Sequence, residues 1–254
     1  MHNDKLALII AFLAILGYLL AMKFSARKFE AWPIYRLLLF GAGVAVGIQA
    51  LAGPVAMHAH HSFVFHMLGH LLLGMLAPLL IVLSRPLTLL LRALPQRRGQ
   101  AVSRLFRSMY ARFLIHPVTA AVLNIGGLWV LYTTSLYHYM HQVNWVSFLV
   151  HVHVFAAGYL FTMAMLYTDP VPYRKSYLFR AFVFVGALAG HGILSKYLYA
   201  NPPTGVDADE AQEGAILMYY GGDLVDLILI VILCWQWYRA AAPEHKLSAS
   251  EART

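Results

Sequence analysis

The sequence predicts an all-α, polytopic membrane protein, folded as a bundle of seven transmembrane helices in a single domain over residues 1–254. Of its 254 residues, 60% are hydrophobic and only 12% are charged, and the mean hydropathy is +0.64. Soluble domains carry about 25% charged residues. The apolar residues also form seven blocks, each long enough to cross a hydrocarbon core of ~30 Å at ~1.5 Å per residue. These blocks cover approximately residues 6–22, 33–52, 63–83, 115–133, 146–167, 179–199 and 215–238.

The first block predicts a retained helix rather than a cleaved signal peptide. A signal peptide carries its positive charge before the apolar run. Here Lys5 precedes the run, whereas Lys23, Arg27 and Lys28 follow it. We therefore expect the N-terminus to lie outside the membrane and the first block to remain as a helix.

The basic residues predict the orientation of the whole bundle, because cytoplasmic loops carry an excess of Lys and Arg. Of the 19 basic residues, 17 fall in the segments that an outside N-terminus assigns to the cytoplasm: 23–36, 84–114, 168–180 and 239–254. The C-terminus is therefore predicted to be cytoplasmic. The net charge of +8 then reports topology and gives no indication of nucleic-acid binding. The arginine-rich segment 84–114 is expected to lie against anionic membrane lipid.

Histidine is concentrated on the opposite side. Ten of the 13 histidines map to the predicted outer loops or the outer halves of the helices: His58, His60, His61, His66, His70, His138, His141, His151, His153 and His191. The predicted orientation depends on Lys and Arg alone, so the bias in histidine is an independent signal. His66 and His70 are four residues apart and share one helical face, where together they could chelate one metal ion.

Three further blocks bring polar groups to the depth of His70. His151 and His153 point in directions ~200° apart on one helix, and the small residues that share the His151 face favour His151 as the inward one. His191 and Asp223 each lie about eight residues below the outer end of their blocks, which at ~1.5 Å per residue is ~12 Å deep. Ionisable groups at such depth are costly unless they face a cavity and find partners.

These residues predict a metal site. Imidazole suits zinc, copper, iron and nickel, whereas thioether sulfur selects Cu(I). The predicted deep ligands are His66, Met67, His70, His151, His191 and Asp223. The segment M-H-A-H-H-S predicts an outer capture site formed by Met57, His58, His60 and His61. Copper, as Cu(I), is favoured, and zinc is the alternative.

Several segments resemble one known family. They are H-M-L-G-H at 66–70, followed by A-P-L-L and R-P, the His116–Pro117 step, the Y-H-Y-M-H loop, and Q-E-G-A-I-L-M-Y-Y-G-G at the entrance to the last block. Across roughly residues 57–235 the chain resembles the CtaG family of bacterial cytochrome c oxidase assembly factors. The resemblance implies a multi-pass protein of the bacterial plasma membrane that helps to mature a haem-copper oxidase. Its matched positions are His66, Met67, His70 and His151. Transfer of a metal ion requires no nucleophile or catalytic base, so no catalytic residue is expected.

Together these features suggest a route for copper. Cu(I) would be caught at the outer segment, pass to the deep histidines and leave laterally to a docked subunit of a terminal cytochrome c oxidase. An extracytoplasmic copper chaperone is a candidate donor. Neutral histidines and thioether sulfur suit a transfer site, which must release its metal.

Two other classes of function remain open. Three histidines and an aspartate around zinc, with water at an open position, would make an intramembrane hydrolase. Histidines on facing helices could instead ligate haem in a membrane redox protein. Strict zinc content would favour the hydrolase, and a Soret band would identify the haem protein.

Overall fold

The computed structural model describes residues 2–241, and within that range every regular element is a helix. We number the helices in chain order. Their bounds are α1 His2–Ser25, α2 Ile34–Leu51, α3 Pro54–Ala59, α4 Phe63–Leu83, α5 Pro86–Ala93, α6 Gln96–Phe106, α7 Met109–Leu114, α8 Pro117–Thr133, α9 Leu136–Gln142, α10 Asn144–Leu166, α11 Tyr177–Ala200 and α12 Ala208–Ala241. The all-α class is confirmed for these residues. The predicted cytoplasmic tail beyond residue 241 lies outside them.

Six helical stretches are long and apolar enough to cross a membrane: α1, α2 continued by α3, α4, α10, α11 and α12. Most begin and end within a few residues of the predicted blocks. There are two exceptions. The span formed by α2 and α3 ends at Ala59, seven residues after the predicted end at 52. Helix α12 begins at Ala208, seven residues before the predicted start at 215. Its first turn contains Asp209 and Glu210, which lower the hydropathy but suit the positive end of a helix dipole. The connection between α11 and α12 therefore covers only residues 201–207, whereas the predicted blocks leave residues 200–214 between them.

The predicted block 115–133 corresponds to α8, which bends by 78° into α9. Residues 2–241 thus contain six helices that are long and apolar enough to cross a membrane, or seven if this bent pair counts as one span. The hydroxyls of Thr133 and Thr134 donate to the carbonyls of Trp129 and Val130, four residues earlier, at 2.6 Å. Such bonds compete with the helical ladder. Thr134 is extended, and its hydroxyl then accepts the N–H of Leu136 at the start of α9.

Hydrogen bonds between spans define two ends of the bundle. At one end the N–H of Phe63, which begins α4, donates to Glu210, near the start of α12. At the other end Tyr18 of α1 donates to the carbonyl of Ser84, just after α4. The first end carries most of the histidines and the second the arginine-rich segment, so we call them the histidine end and the basic end.

Helix α4 is the centre of the bundle and packs against α2, α10 and α12. Glycines make these approaches close. A Cβ on Gly158 of α10 would lie 1.9 Å from the carbonyl oxygen of Gly74, and one on Gly43 of α2 would lie 2.7 Å from Ile81. Small residues at helix contacts are the usual means of close packing between membrane helices.

The basic segment 84–114 forms three short helices, α5, α6 and α7. Helix α5 is tied to the loop after α10 by Asp169, which is 1% exposed. The carboxylate of Asp169 accepts hydrogen bonds from the backbone N–H groups of Leu87 and Thr88 and from the Thr88 hydroxyl. It therefore caps the first turn of α5 from a distant part of the chain.

Candidate metal centre

A pair of histidines lies in the middle of the bundle. His70 of α4 and His191 of α11 are 7% and 3% exposed, and their ring centroids are 6.2 Å apart. Both ring nitrogens of His70 and Nε2 of His191 are buried without a hydrogen-bond partner. Buried polar atoms are nearly always paired, because leaving one unpaired costs roughly 1–3 kcal/mol. Three orphaned nitrogens on two neighbouring rings therefore indicate a ligand-binding position.

Glycines leave room for both rings. A Cβ on Gly222 of α12 would lie 2.4 Å from Cε1 of His191, and one on Gly74 would lie 3.4 Å from Cε1 and Nδ1 of His70. Gly222 is the second glycine of the Y-Y-G-G segment that opens the last predicted block. The sequence thus provides the space that the histidine pair occupies.

The two rings border a small cavity. It offers ≈ 20 Å³ to the centre of a water-sized sphere, and roughly 10–15 Å³ on that measure holds one water. Polar groups on its wall other than the histidines are Asn124 of α8, Thr162 of α10 and Asp226 of α12. Met75 and Phe161 contribute apolar surface. The cavity therefore suits a single small ion or water with several polar neighbours.

Both α4 and α8 contain a π-helical turn beside this cavity, at Leu72–Leu76 and Val122–Gly126. Gly74 and Asn124, one from each turn, line it. A π-turn alters the helical hydrogen-bond pattern and is frequent at functional sites. At the second turn Nε2 of His153 lies 3.1 Å from the carbonyl oxygen of Leu123, so His153 joins α10 to α8.

His66 belongs to a separate group nearer the histidine end. Its Nε2 lies 3.1 Å from the hydroxyl of Tyr132, and its ring centroid lies 5.7 Å from that of His141 and 5.0 Å from that of Tyr137. Tyr132 also contacts His70, with centroids 6.4 Å apart. His66 and His70 share a helical face as predicted, but each is directed at a different histidine partner.

The predicted capture residues Met57, His58, His60 and His61 are all exposed at the histidine end, on α3 and just after it. Met57 is 69% exposed. Nδ1 of His58 lies 2.7 Å from the carbonyl oxygen of Pro54, and its ring stacks on Phe65. These side chains are accessible to an incoming ion or protein.

The remaining predicted ligands lie apart from the histidine pair. His151 is half-buried, and its Nδ1 is 2.7 Å from the carbonyl oxygen of Ser147 on its own helix. Met67 is fully buried in an apolar cluster with Phe63 and Met218. Asp223 is exposed. Among the residues that the structure describes, no three His, Cys, Asp or Glu side chains converge closely enough to hold one ion.

The carboxyl group that lines the cavity beside His70 and His191 belongs to Asp226, not to the predicted Asp223. The buried stripe of α12 runs through Gly222, Val225, Asp226 and Leu229, which follow the spacing of one helical face. Asp223 falls just outside that stripe. Asn124, Thr162 and Tyr132 were also missed as site residues, although a polar side chain inside an apolar block is itself a signal of a buried site.

The fold and the centre define a polytopic helical membrane protein with a buried pair of unpaired histidines. A family model described as cytochrome c oxidase caa3 assembly factor (Caa3_CtaG) matches residues 16–240. The chain therefore belongs to the CtaG family of cytochrome c oxidase assembly factors, as the sequence resemblance predicted.

Three curated relatives are uncharacterized mycobacterial proteins. The one from Mycobacterium leprae is 30% identical over 260 residues, covering 94% of this chain and 39% of that protein. Those from Mycobacterium bovis and Mycobacterium tuberculosis are each 28% identical over 246 residues, covering 88% of this chain and 37% of each relative. The chain thus spans about two fifths of the length of these relatives. No solved structure matches it.

Proposed function

We propose that this chain binds Cu(I) between His70 and His191 and delivers it to the copper centre of the oxidase that its family helps to assemble. The observation that carries the proposal is the pair of buried imidazoles with three unpartnered nitrogens beside a cavity for one small group. Imidazole is a suitable ligand for copper, and it binds metal in its neutral form.

The separation of the rings fits a bridging ion. Metal–imidazole bonds are ~2.0–2.1 Å long, so an ion held in line between two imidazole nitrogens keeps the ring centres about 6 Å apart. The centroids of His70 and His191 are 6.2 Å apart. Cu(I) accepts two ligands in a line, whereas most divalent ions require more. The small cavity also suits an ion better than a porphyrin.

A path for the ion leads from the histidine end to this pair. The exposed Met57, His58, His60 and His61 would capture copper. His66, with His141 beside it, would form an intermediate station one helical turn from His70. Tyr132 contacts both His66 and His70, so a shift of its ring would control passage between the two stations.

The client would be a subunit of a haem-copper oxidase in the bacterial plasma membrane, docked against the bundle. In that membrane the basic end would face the cytoplasm and the histidine end the outside, where an extracytoplasmic copper chaperone could load the capture residues. Release is compatible with the ligand set, because two neutral imidazoles without thiolates hold Cu(I) less firmly than thiolates do.

A second candidate, a zinc-dependent hydrolase, is favoured by one observation. Asp226 lines the same cavity as His70 and His191. The three side chains do not converge on one point in this structure, so a two-histidine, one-carboxylate zinc site with an open water position would require them to move closer together. Zinc would then lower the pKa of that water to about 7. Purified protein that holds zinc and excludes copper would support this candidate.

Complementation tests the copper proposal. A deletion strain would receive the wild-type chain, His70→Ala, His191→Ala, or His138→Ala as a control on the exposed surface. We expect oxidase activity and the copper-to-haem ratio of the oxidase to fall in the first two variants only, with partial rescue by added copper. Fully metallated oxidase in both deep variants would refute the proposal.

A further inference from the structure

A second, larger pocket opens at the basic end. It offers ≈ 310 Å³ to the centre of a water-sized sphere and lies between α7, the start of α8 and the loop that follows α10. Four of its wall residues carry a guanidinium, ammonium or imidazole group: Arg112, His116, Arg174 and Lys175. None of these residues lies on the path proposed above for copper.

Aromatic rings support these cations. The guanidinium of Arg112 lies over the ring of Tyr173 at 4.6 Å, and Nζ of Lys175 lies 5.9 Å from the ring centroid of Phe179. The ring of His116 meets Phe179 edge to face at 5.8 Å. The backbone N–H of Lys175 donates to the hydroxyl of Tyr167, which holds the loop in place. The positive groups are thus partly positioned before any ligand binds.

The local field is positive. The pKa of His116 is lowered from its ordinary value, first because burial disfavours the imidazolium and then because Lys175 and Arg112 repel its charge. Arg112, Arg174 and Lys175 are all exposed, so an anion can reach them from solvent. An anion bound among these cations would favour the charged imidazolium.

Phosphate is the anion that this arrangement suits best. Guanidinium groups bind phosphate oxygens in a planar, two-bond geometry, and Lys adds a point charge. The neighbouring helices α6 and α7 expose Leu105, Met109 and Phe113, each more than 60% exposed. Apolar side chains beside a basic pocket are typical of a segment at the membrane interface.

We propose that this pocket binds a phosphate group, presented either by the headgroup of an anionic lipid or by a free phosphate. The two sources share one chemistry, in which oxygens of the phosphate accept hydrogen bonds from Arg112, Arg174 and Lys175. A lipid source would place the acyl chains along the exposed apolar side chains of α6 and α7.

The full-length protein, delipidated in detergent, would be titrated with inorganic phosphate, with short-chain phosphatidylglycerol and with short-chain phosphatidylcholine. Binding would be followed by the apparent melting temperature and by native mass spectrometry. The test variant is Arg174→Gln with Lys175→Gln. Its matched control is Arg27→Gln with Lys28→Gln, which removes the same charges from two adjacent exposed positions just after α1.

We expect saturable binding that the test variant weakens about tenfold or more and that the control leaves within about twofold. Binding of phosphatidylglycerol alone identifies a lipid headgroup as the source, and binding of inorganic phosphate as well identifies a site for the free anion. In the wild type, the pKa of His116, followed by NMR, should rise when the ligand binds. Equal weakening in both variants, no saturable binding, or an unmoved His116 pKa would overturn the proposal.

Discussion

The replacement Gly222→Ala tests whether the space beside His191 is needed to hold metal. The new Cβ would lie 2.4 Å from Cε1 and 3.0 Å from Nδ1 of His191. Ordinary contacts of this kind begin near 3.4 Å, so the imidazole must retreat by about 1 Å. The distance from a metal ion to its ligand can deviate by only about 0.2 Å from the usual bond length. The displaced ring therefore can no longer share an ion with His70.

The expected effect is on binding rather than on folding. Misplacing groups that orient a metal ligand typically costs about 10- to 100-fold in metal affinity, and we predict a loss of at least that size for Cu(I). The helix itself gains up to about 1 kcal/mol from Gly to Ala, which offsets part of the steric cost. The melting temperature should change little.

The assay is anaerobic competition with a chromophoric Cu(I) chelator, paired with a thermal unfolding curve. Gly186→Ala is the matched control, because it lies on the same helix as His191 and its Cβ would have no atom within 4 Å. The control should bind copper like the wild type. Unchanged Cu(I) affinity in Gly222→Ala would refute the reasoning that places the ion at His191.

Three further experiments, each on a different part of the structure, use single replacements. Asp223→Asn should leave the Cu(I) affinity within about twofold of the wild type, because the side chain is exposed. Asp226→Asn should weaken Cu(I) binding, because its carboxyl group lines the cavity. The same chelator titration compares the two variants. Gly158→Ala should lower the free energy of unfolding by roughly 1–3 kcal/mol, because its Cβ would meet the backbone of Gly74. Gly41→Ala should leave it unchanged, because the space around Gly41 is open. Thermal unfolding curves distinguish the two variants. Burial raises the pKa of Asp169 despite three hydrogen bonds to its carboxyl group. The native state therefore binds the carboxyl proton more tightly than the unfolded state does, and the free energy of unfolding falls as pH rises through the raised pKa. Asp169→Asn should remove this decline, and an unchanged pH dependence of unfolding would contradict it.

The sequence predicts the spans well because length and hydropathy are one-dimensional properties. A run such as 63–83 identifies a spanning helix without knowledge of its neighbours, and α4 has these bounds. The bend after α8 escaped prediction, since it depends on hydroxyl bonds from Thr133 and Thr134 to their own helix. Threonine is common in apolar blocks without such a bend.

The sequence does not show which side of each membrane helix faces the protein interior. Helix α12 is apolar on nearly all sides, so nothing in its pattern distinguishes the face with Asp226 from the position of Asp223. Only its packing against α4 and α11 makes that choice. Membrane helices give a weak periodic signal because lipid and protein interior are both apolar.

The sequence also does not predict which histidines lie next to one another, because this too depends on how the helices pack. Spacing of four residues predicts that His66 and His70 act together, and they do share a face of α4. The structure directs His66 to Tyr132 and His141, and His70 to His191. These partners come from α8, α9 and α11, and no local pattern in α4 encodes them. The structure places His191 beside His70, at the depth that a count of residues along its helix predicts.

The measurement that tests the central claim most directly is the copper content and X-ray absorption spectrum of purified protein loaded anaerobically with Cu(I). We predict about one deeply bound copper per chain, with two imidazole nitrogens as ligands, in the wild type and in a variant whose exposed His58, His60 and His61 are replaced by alanine. Both His70→Ala and His191→Ala should lose it. Retention of that copper in both single variants would contradict the account.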